Sequence, residues 1–367
     1  MKDNYKVGII GATGMVGQRF ITLLHDHPWY TIEVLAASPR SAGKTYKEAV
    51  GAKWAMDEEI PKSVEDMIVM NATDDVDKIA GMVDFVFCAV DMKKDEIKAL
   101  EERYAKAECP VVSNNSAHRH TEDVPMIIPE INPEHLEIIP SQRERLGTKR
   151  GFIAVKSNCS LQSYLPAMAV VNAKYPIDHA LVTTYQAISG AGKTFNTWPE
   201  MVDNLIPYIG GEEMKSEVEP NKVLGKVEGN KIVPSDALSI ECQTYRVPVS
   251  NGHTAAIFFS FKDRENIPSV EEIENMWREY KGVPQQLELP HAPKQFIYVY
   301  TEAEAPDQPQ IKTAREIDGG MAISCGRLRK STQYDYKMVS MSHNTLRGAA
   351  GGAVLLAELL TAKGYMD

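Results

Sequence analysis

A β-branched run over residues 5–11 passes straight into Gly11-Ala12-Thr13-Gly14-Met15-Val16-Gly17, and from there into helical spacing at Met15, Phe20, Leu23 and Leu24. A second apolar run occupies residues 31–37. Strand, glycine turn, helix and strand in that order form one βαβ unit, which requires a parallel sheet. Further strand patterns at 67–71, 85–90 and 109–113, with helical spacing over 93–107, continue the alternation. The chain therefore reads as α/β, opening on a Rossmann-type doubly wound domain.

Gly11, Gly14 and Gly17 let the backbone turn sharply, approach a pyrophosphate and pack a helix closely on the sheet, with phosphates at the helix N-terminus. The spacing is one residue longer than the standard dinucleotide fingerprint, and an ordinary tight turn would look alike; its place between strand and helix favours a dinucleotide. The end of the second strand selects which one. A carboxylate there would hold the ribose hydroxyl of NAD, but the chain has Ala37-Ser38-Pro39-Arg40-Ser41-Ala42-Gly43-Lys44. Hydroxyls and cations suit a 2′-phosphate, so NADP is expected, the alternative being that Arg40 and Lys44 are solvated loop charges.

After Cys159 the texture changes. Strand-rich stretches at 180–187, 239–249, 254–262 and 296–301 predict an α+β second domain on a mixed or antiparallel sheet, and 347–363 predicts a closing helix. Two domains also suit 367 residues, more than one core usually serves. Residues 207–222, rich in Gly and Glu, read as an exposed excursion.

A formal net charge of −10 argues against nucleic acid as the main partner. Five cysteines, odd in number and never in C-x-x-C spacing, suggest neither a disulfide framework nor a metal cage and fit a reducing, cytoplasmic setting. The early first strand leaves no room for a signal peptide, and no apolar run nears the roughly 18 residues of a membrane span.

Val155-Lys156-Ser157-Asn158-Cys159-Ser160-Leu161-Gln162 follows an apolar run and opens an apolar-periodic stretch. It reads as a strand delivering a thiol to a helix N-terminus, where the helix dipole would favour thiolate and make Cys159 a nucleophile. The alternative is a buried cysteine acting as a small hydrophobe, the reading that suits Cys88. His253, in Arg246-Val247-Pro248-Val249-Ser250-Asn251-Gly252-His253, has the ordinary pKa of a general acid/base, or is one more structural histidine among nine. Arg246 offers a fork to a carboxylate or pairs with a surface acid. On a continuous strand Arg246 and His253 would face opposite ways, so Pro248 and Gly252 must bend the chain if both serve one pocket.

Several motifs in order carry a family resemblance that runs nearly end to end. They are the glycine turn, Ser38-Pro39-Arg40-Ser41-Ala42-Gly43-Lys44, Ser157-Asn158-Cys159-Ser160, Tyr185-Gln186-Ala187-Ile188-Ser189-Gly190-Ala191-Gly192, Ile206-Pro207-Tyr208-Ile209 with Glu212 to Lys215, Arg246 to Thr254, and Ser342-His343-Asn344-Thr345-Leu346-Arg347-Gly348-Ala349-Ala350-Gly351. The chain resembles the aspartate-semialdehyde dehydrogenases of the archaeal and fungal type, within the wider glyceraldehyde-3-phosphate-dehydrogenase-like class.

The resemblance implies an NADPH-dependent reduction of L-aspartyl 4-phosphate to L-aspartate 4-semialdehyde with release of phosphate. Cys159 would be the acylated thiol, His253 the acid/base and Gln186 the residue that orients the acyl group. Arg246 and Glu212 would hold the substrate's carboxylate and amine, Lys215 its phosphate, and Asn158 with the Cys159 N–H would face the oxyanion. Cofactor contacts are implied at Gly11, Thr13, Gly14, Met15, Val16, Ser38, Arg40, Ser41, Ser189, Gly190 and Asn344, and no metal is implied. Residues 1–156 with 344–367 would form the NADP-binding domain and 157–343 the catalytic and dimerisation domain of a homodimer or homotetramer. One departure stands out: the family commonly has Thr after Cys-Ser, whereas Leu161-Gln162 follows here. Malonyl-CoA reductases share the scaffold and the cysteine chemistry, and an NADP-binding regulatory protein that lost catalysis is a further alternative.

Overall fold

The computed structural model describes Lys2 and residues 4–367. Its first sheet comprises β1 (Tyr5–Ile10), β2 (Tyr30–Ala37), β3 (Met70–Asn71), β4 (Phe85–Cys88), β5 (Val111–Ser113), β6 (Met126–Ile127) and β7 (Ile153–Lys156). They lie in the order β3-β2-β1-β4-β5-β7-β6, with every neighbouring pair parallel. Strands β4, β5 and β7 are buried along their length, which is why they appear as unbroken apolar runs rather than alternating ones. Strand order reverses between β1 and β4, and ligands of open α/β sheets bind in the crevice beyond such a switch point.

The glycine turn is shaped by that crevice. Gly11 has φ +96°, and a Cβ there would lie 2.3 Å from the Ala89 carbonyl; one on Gly17 would lie 2.3 Å from the Gly11 carbonyl. Those two glycines serve packing. A Cβ on Gly14 would meet nothing nearer than 3.5 Å, and Gly14 caps helix α1 (Met15–Leu24), whose first turn carries no acidic residue. The start of α1 is thus open to an anion.

Helix α2 (Lys94–Lys106) connects β4 to β5, and α3 (Leu165–Asn172) precedes the second sheet. That sheet uses β8 (Ile177–Gln186) and, beyond a small hairpin of β9 (Lys226–Glu228) and β10 (Lys231–Val233), β11 (Ser239–Arg246), β12 (His253–Phe261), β13 (Ile297–Val299), β14 (Ile323–Lys330) and β15 (Tyr336–Ser342). Its order is β11-β8-β12-β15-β14-β13. The β11–β8 and β13–β14 pairs are parallel and the rest antiparallel, a mixed sheet.

Residues 207–222 are not an exposed excursion. They lead into α4 (Glu212–Val223), which packs on β11 and buries Glu212, Ser216, Glu219 and Lys222. Pro220 inside the helix and the Gly210-Gly211 pair before it masked the helical period. The strand expected over 67–71 shortens to β3 because Ile68 instead bridges Thr45. The closing helix α5 (Ala350–Ala362) starts three residues late, since Ala349 is non-helical, and packs against α1, β5 and β7. Its buried Glu358 accepts hydrogen bonds from His27 at 2.9 Å and His291 at 2.6 Å.

Candidate active site

Three strand ends meet at one edge of the second sheet. Gln186 closes β8, Arg246 pairs with it from β11 on one side, and His253 pairs with it from β12 on the other. The connecting loop crosses the end of β8: Val247 donates to the Gln186 carbonyl at 3.0 Å, and Ile188 donates to the Val249 carbonyl at 2.9 Å. Gly252, at φ +101°, turns the chain back into β12. The required bend is therefore a complete exit from the sheet, and the strand expected over 239–249 stops at Arg246.

Cys159 sits in the loop after β7, half-buried, with Sγ 3.5 Å from His253 Nε2. The expected helix N-terminus is absent. Leu161–Ser163 form a 3-10 turn, Tyr164 breaks the helical path, and α3 begins only at Leu165, so no α-helix dipole points at the sulfur. The thiol pKa is accordingly raised, not lowered. Burial raises it most and Glu212 next, against the opposing charges of Lys156, Arg119 and Arg246.

His253 is also unlike its free form. Its Nδ1 accepts the Ala187 N–H at 3.0 Å, so the neutral ring carries its proton on Nε2, facing Sγ. Burial first, then Arg246, pushes its pKa down to about 3. The ring is a neutral hydrogen-bond donor to the sulfur rather than an acceptor with an ordinary pKa.

Glu212, the first residue of α4, binds Lys215 Nζ at 2.6 Å and the Asn158 amide at 3.0 and 3.2 Å, with the Gln186 amide 3.4 Å away. Burial works against its ionisation, but the charge and hydrogen bond of Lys215 and the Asn158 amide outweigh it, and its pKa is lowered. Asn158 is consequently turned toward Glu212 and not toward an oxyanion at Cys159; its Oδ1 accepts from the Ser160 N–H at 2.7 Å and closes the nucleophile loop. Arg246 is buried and donates from Nη1 to the Ala187 carbonyl at 2.6 Å. A Cβ on Gly190 would lie 2.9 Å from that Nη1 and 3.1 Å from the His253 ring, so glycine at this position gives both groups their room.

Asn344 stitches the site together, donating to Ser189 Oγ at 2.9 Å while its Oδ1 accepts the Gly252 N–H at 2.7 Å. A cleft of about 470 Å³ is lined by Cys159, Asn158, Glu212, Lys215, Ser189, Gly190 and Asn344, and on its other wall by Val16 of α1. A groove along Thr13, Gly14 and Met15 adjoins it. Gly11 lies beneath these in the turn itself, while Ser38, Arg40 and Ser41 occupy the loop after β2, with Arg40 exposed. The open start of α1 and this basic loop fit a phosphorylated dinucleotide.

Sequence reasoning missed several residues of the cleft. Arg119 lines it, paired with Glu219 at 3.1 Å and donating to the Lys156 carbonyl at 3.1 Å. Lys156 lines it as well, fully buried. Behind the cleft Gln162, next to the departing Leu161, reaches from Ser157 Oγ at 2.8 Å to Arg347 Nε at 3.2 Å, and Arg347 is clasped by Glu130. No periodicity marks such residues: Arg119 lies in a polar stretch that reads as a surface loop, and Lys156 and Gln162 flank the Ser-Asn-Cys-Ser motif. Elsewhere, the nitrogens of His27 and His291 and a Glu358 oxygen lie within 4.8 Å of one another. The Trp29 and Tyr30 N–H groups both donate to His27 Nδ1, leaving its proton on Nε2 and directed at Glu358, a hydrogen-bonded triad rather than a metal-ready one.

Two family models match the chain in order, one described as semialdehyde dehydrogenase, NAD binding domain, over residues 6–139, and one as semialdehyde dehydrogenase, dimerisation domain, over residues 168–347. The chain is 40% identical over 368 residues to aspartate-semialdehyde dehydrogenase of Candida albicans, covering 98% of each. It is 41% identical over 358 residues to that of Methanothermobacter thermautotrophicus, covering 96% of this chain and 98% of the other. The crystal structure of the Candida albicans enzyme with NADP matches with a TM-score of 0.87 at 39% identity, over 98% of this chain and 99% of that one. With both halves matched in sequence and in fold by fungal and archaeal relatives, the chain belongs to the aspartate-semialdehyde dehydrogenase family.

Proposed function

We propose that the chain catalyses the NADPH-dependent reductive dephosphorylation of L-aspartyl 4-phosphate to L-aspartate 4-semialdehyde, a step of amino-acid biosynthesis leading to lysine, threonine, methionine and isoleucine. The observation that carries it is the Cys159–His253 contact of 3.5 Å, set in one cleft with Glu212 and beside Arg246 and the glycine turn. Bound NADPH supplies a hydride to the acyl carbon.

The chain's residues perform the rest. Cys159, as the thiolate, forms an S–C bond to the acyl carbon as phosphate departs with the electrons of the broken C–O bond, giving a thioester. His253 Nε2–H donates first to the sulfur and then to the oxygen that becomes negative when hydride arrives. Collapse of the thiohemiacetal breaks the C–S bond and returns the thiolate. Arg246 offers its fork to the α-carboxylate, Glu212 takes the α-ammonium, and Gln186 between them orients the acyl group. Lys215, once Glu212 is engaged by substrate, is free to bind phosphate.

In this reading residues 1–156 with 344–367 hold NADP, with Thr13, Gly14, Met15 and Val16 at its phosphates, Ser38, Arg40 and Ser41 at the 2′-phosphate, and Ser189, Gly190 and Asn344 toward the nicotinamide. Residues 157–343 carry catalysis and self-association as a homodimer or homotetramer, and the enzyme works in the cytoplasm. No helix among the described residues is long and apolar enough to cross a membrane. Purified protein should oxidise aspartate semialdehyde with NADP and phosphate. A strict requirement for CoA in place of phosphate would transfer the assignment to an acyl-CoA reductase.

A further inference from the structure

Asn115 stands just beyond β5, on the wall of the cleft that also holds Cys159 and Asn344. Its side chain is gripped from behind. Nδ2 donates to Glu101 Oε1 of α2 at 2.9 Å and to Cys88 Sγ at the end of β4 at 3.4 Å, while the backbone N–H donates to Ser113 Oγ at 3.0 Å. Ser113 Oγ in turn donates to the same Glu101 oxygen, and Glu101, Ser113 and Cys88 are fully buried. An oxygen that already takes the Ser113 hydroxyl proton is an acceptor, so the amide meets it nitrogen first. Both amide protons are thus spent behind the wall. Oδ1 accepts nothing among the described residues and, unlike the enclosed Oδ1 of Asn114, is not buried. Asn115 therefore offers the cleft a carbonyl oxygen of fixed orientation.

Asn344 offers the opposite. Its Oδ1 is turned to the Gly252 N–H and one Nδ2 proton to Ser189, so what remains for a ligand is the second Nδ2 proton. The nicotinamide set beside Asn344 carries a carboxamide, whose oxygen takes a donor and whose NH2 needs an acceptor. Leaving that NH2 desolvated and unpaired is costly. Asp91 and Ser116 also line the cleft with side chains that make no hydrogen bond among the described residues, but Asp91 is exposed and a serine hydroxyl can donate as readily as accept. Only Asn115 is held so that acceptance is its one role.

We propose that Asn115 Oδ1 accepts the NH2 of the nicotinamide carboxamide while Asn344 donates to its carbonyl oxygen, so that the two asparagines distinguish a carboxamide from a ketone of the same shape. The inference deepens the proposed function and rests on the nicotinamide lying beside Asn344.

The test is fluorescence titration of the intact enzyme, without substrate, with NADP and with its 3-acetylpyridine analogue, in which a methyl group replaces the NH2 and the carbonyl stays. The wild type should bind NADP about threefold to tenfold more tightly, the factor for one neutral hydrogen bond. Asn115→Leu should lose that factor for NADP and leave the analogue unchanged, bringing the two affinities together. The thionicotinamide analogue, which keeps its NH2, should lose as much as NADP does.

Equal affinity of the wild type for NADP and the acetylpyridine analogue would overturn the proposal, as would a preference that persists in Asn115→Leu or weakening of both dinucleotides by one factor. Loss of the preference in Asp91→Ala would give the NH2 to Asp91 instead, and a raised KM for aspartate semialdehyde with cofactor affinities intact would give the Asn115 oxygen to the substrate's ammonium. If Asn115→Leu fails to melt cooperatively, Asn115→Ala decides on the same criterion. Failure of the wild type to bind NADP at all would sink the cofactor assignment itself, which is a separate result.

Discussion

Arg246 and His253 stand in the same row of the second sheet, one on each side of Gln186. In-register neighbours present their side chains to the same face, so guanidinium and imidazole share one side of the sheet although a continuous strand would have set them on opposite faces. The loop between them exists to make this crossing. Ala187, next to Gln186, then ties both down, its carbonyl accepting from Arg246 and its N–H donating to His253.

Gly190 fills the space beside that pair without a side chain. Gly190→Ala would place a Cβ 2.9 Å from Arg246 Nη1 and 3.1 Å from the His253 ring, forcing one of them to move. Steady-state kinetics should show kcat/KM reduced roughly tenfold to a hundredfold, the cost of a misplacement near 1 Å, with the melting temperature little changed. Kinetics equal to the wild type would mean that the two side chains have freedom the packing does not show.

Glu212 has an effect of unusual sign. Its charge raises the Cys159 pKa, second only to burial, so Glu212→Gln should speed alkylation of Cys159 at neutral pH while lowering kcat/KM for a substrate that needs its α-ammonium held. Loss of both alkylation and turnover together would indicate a collapsed nucleophile loop, because Asn158 bridges the two.

Much of this was readable in the chain and some was not, for physical reasons. The βαβ opening was legible because Gly11, Gly14 and Gly17 punctuate two apolar runs, and three of the strands of the first sheet are buried on both faces. Cys159 stood out where an apolar run meets an apolar-periodic stretch, and the other candidate residues of the cleft through motifs in order. What failed was local electrostatics: the thiol of Cys159 was expected to be acidified by a helix that the kink at Tyr164 delays, and the ring of His253 was expected to keep an ordinary pKa that burial and Arg246 remove. Both errors concern burial first and then charges brought near by folding. Lys156 was invisible for the same reason, since a lysine at a strand end looks like a solvated terminus until α5 and the Arg119 loop cover it.

Arg40 tests the cofactor assignment. It is exposed in the loop after β2 and forms no ion pair among the described residues. Arg40→Ala should weaken NADPH by roughly tenfold or more, the factor for one charge-assisted hydrogen bond, and leave NADH nearly untouched. Fluorescence titration with both cofactors reads this directly, and equal losses would make Arg40 structural.

Burial of Lys156 should also appear in the pH dependence of stability. Its folded pKa of about 7 lies below its unfolded 10.5, so above about pH 7 the unfolded chain binds the extra proton and stability rises with pH. Cys159, whose folded pKa is raised, acts in the opposite sense from the ordinary unfolded thiol value of about 8.5 upward, so the clean window is pH 7 to about 8.5. Across it, urea unfolding of the wild type relative to Lys156→Met should steepen by up to about 1.4 kcal/mol per pH unit. A flat difference would show that Lys156 stays protonated in the native enzyme.

The central claim is that acyl transfer runs through Cys159, and a single-turnover measurement tests it most directly. Mixed with aspartate semialdehyde and NADP in the absence of phosphate, the enzyme should release a burst of about one NADPH per active site and retain an aspartyl adduct on Cys159, seen by peptide mass spectrometry and discharged on adding phosphate. Cys159→Ala should bind NADP and give no burst. A stoichiometric burst surviving in Cys159→Ala, or an adduct mapped to any other residue, would contradict the account.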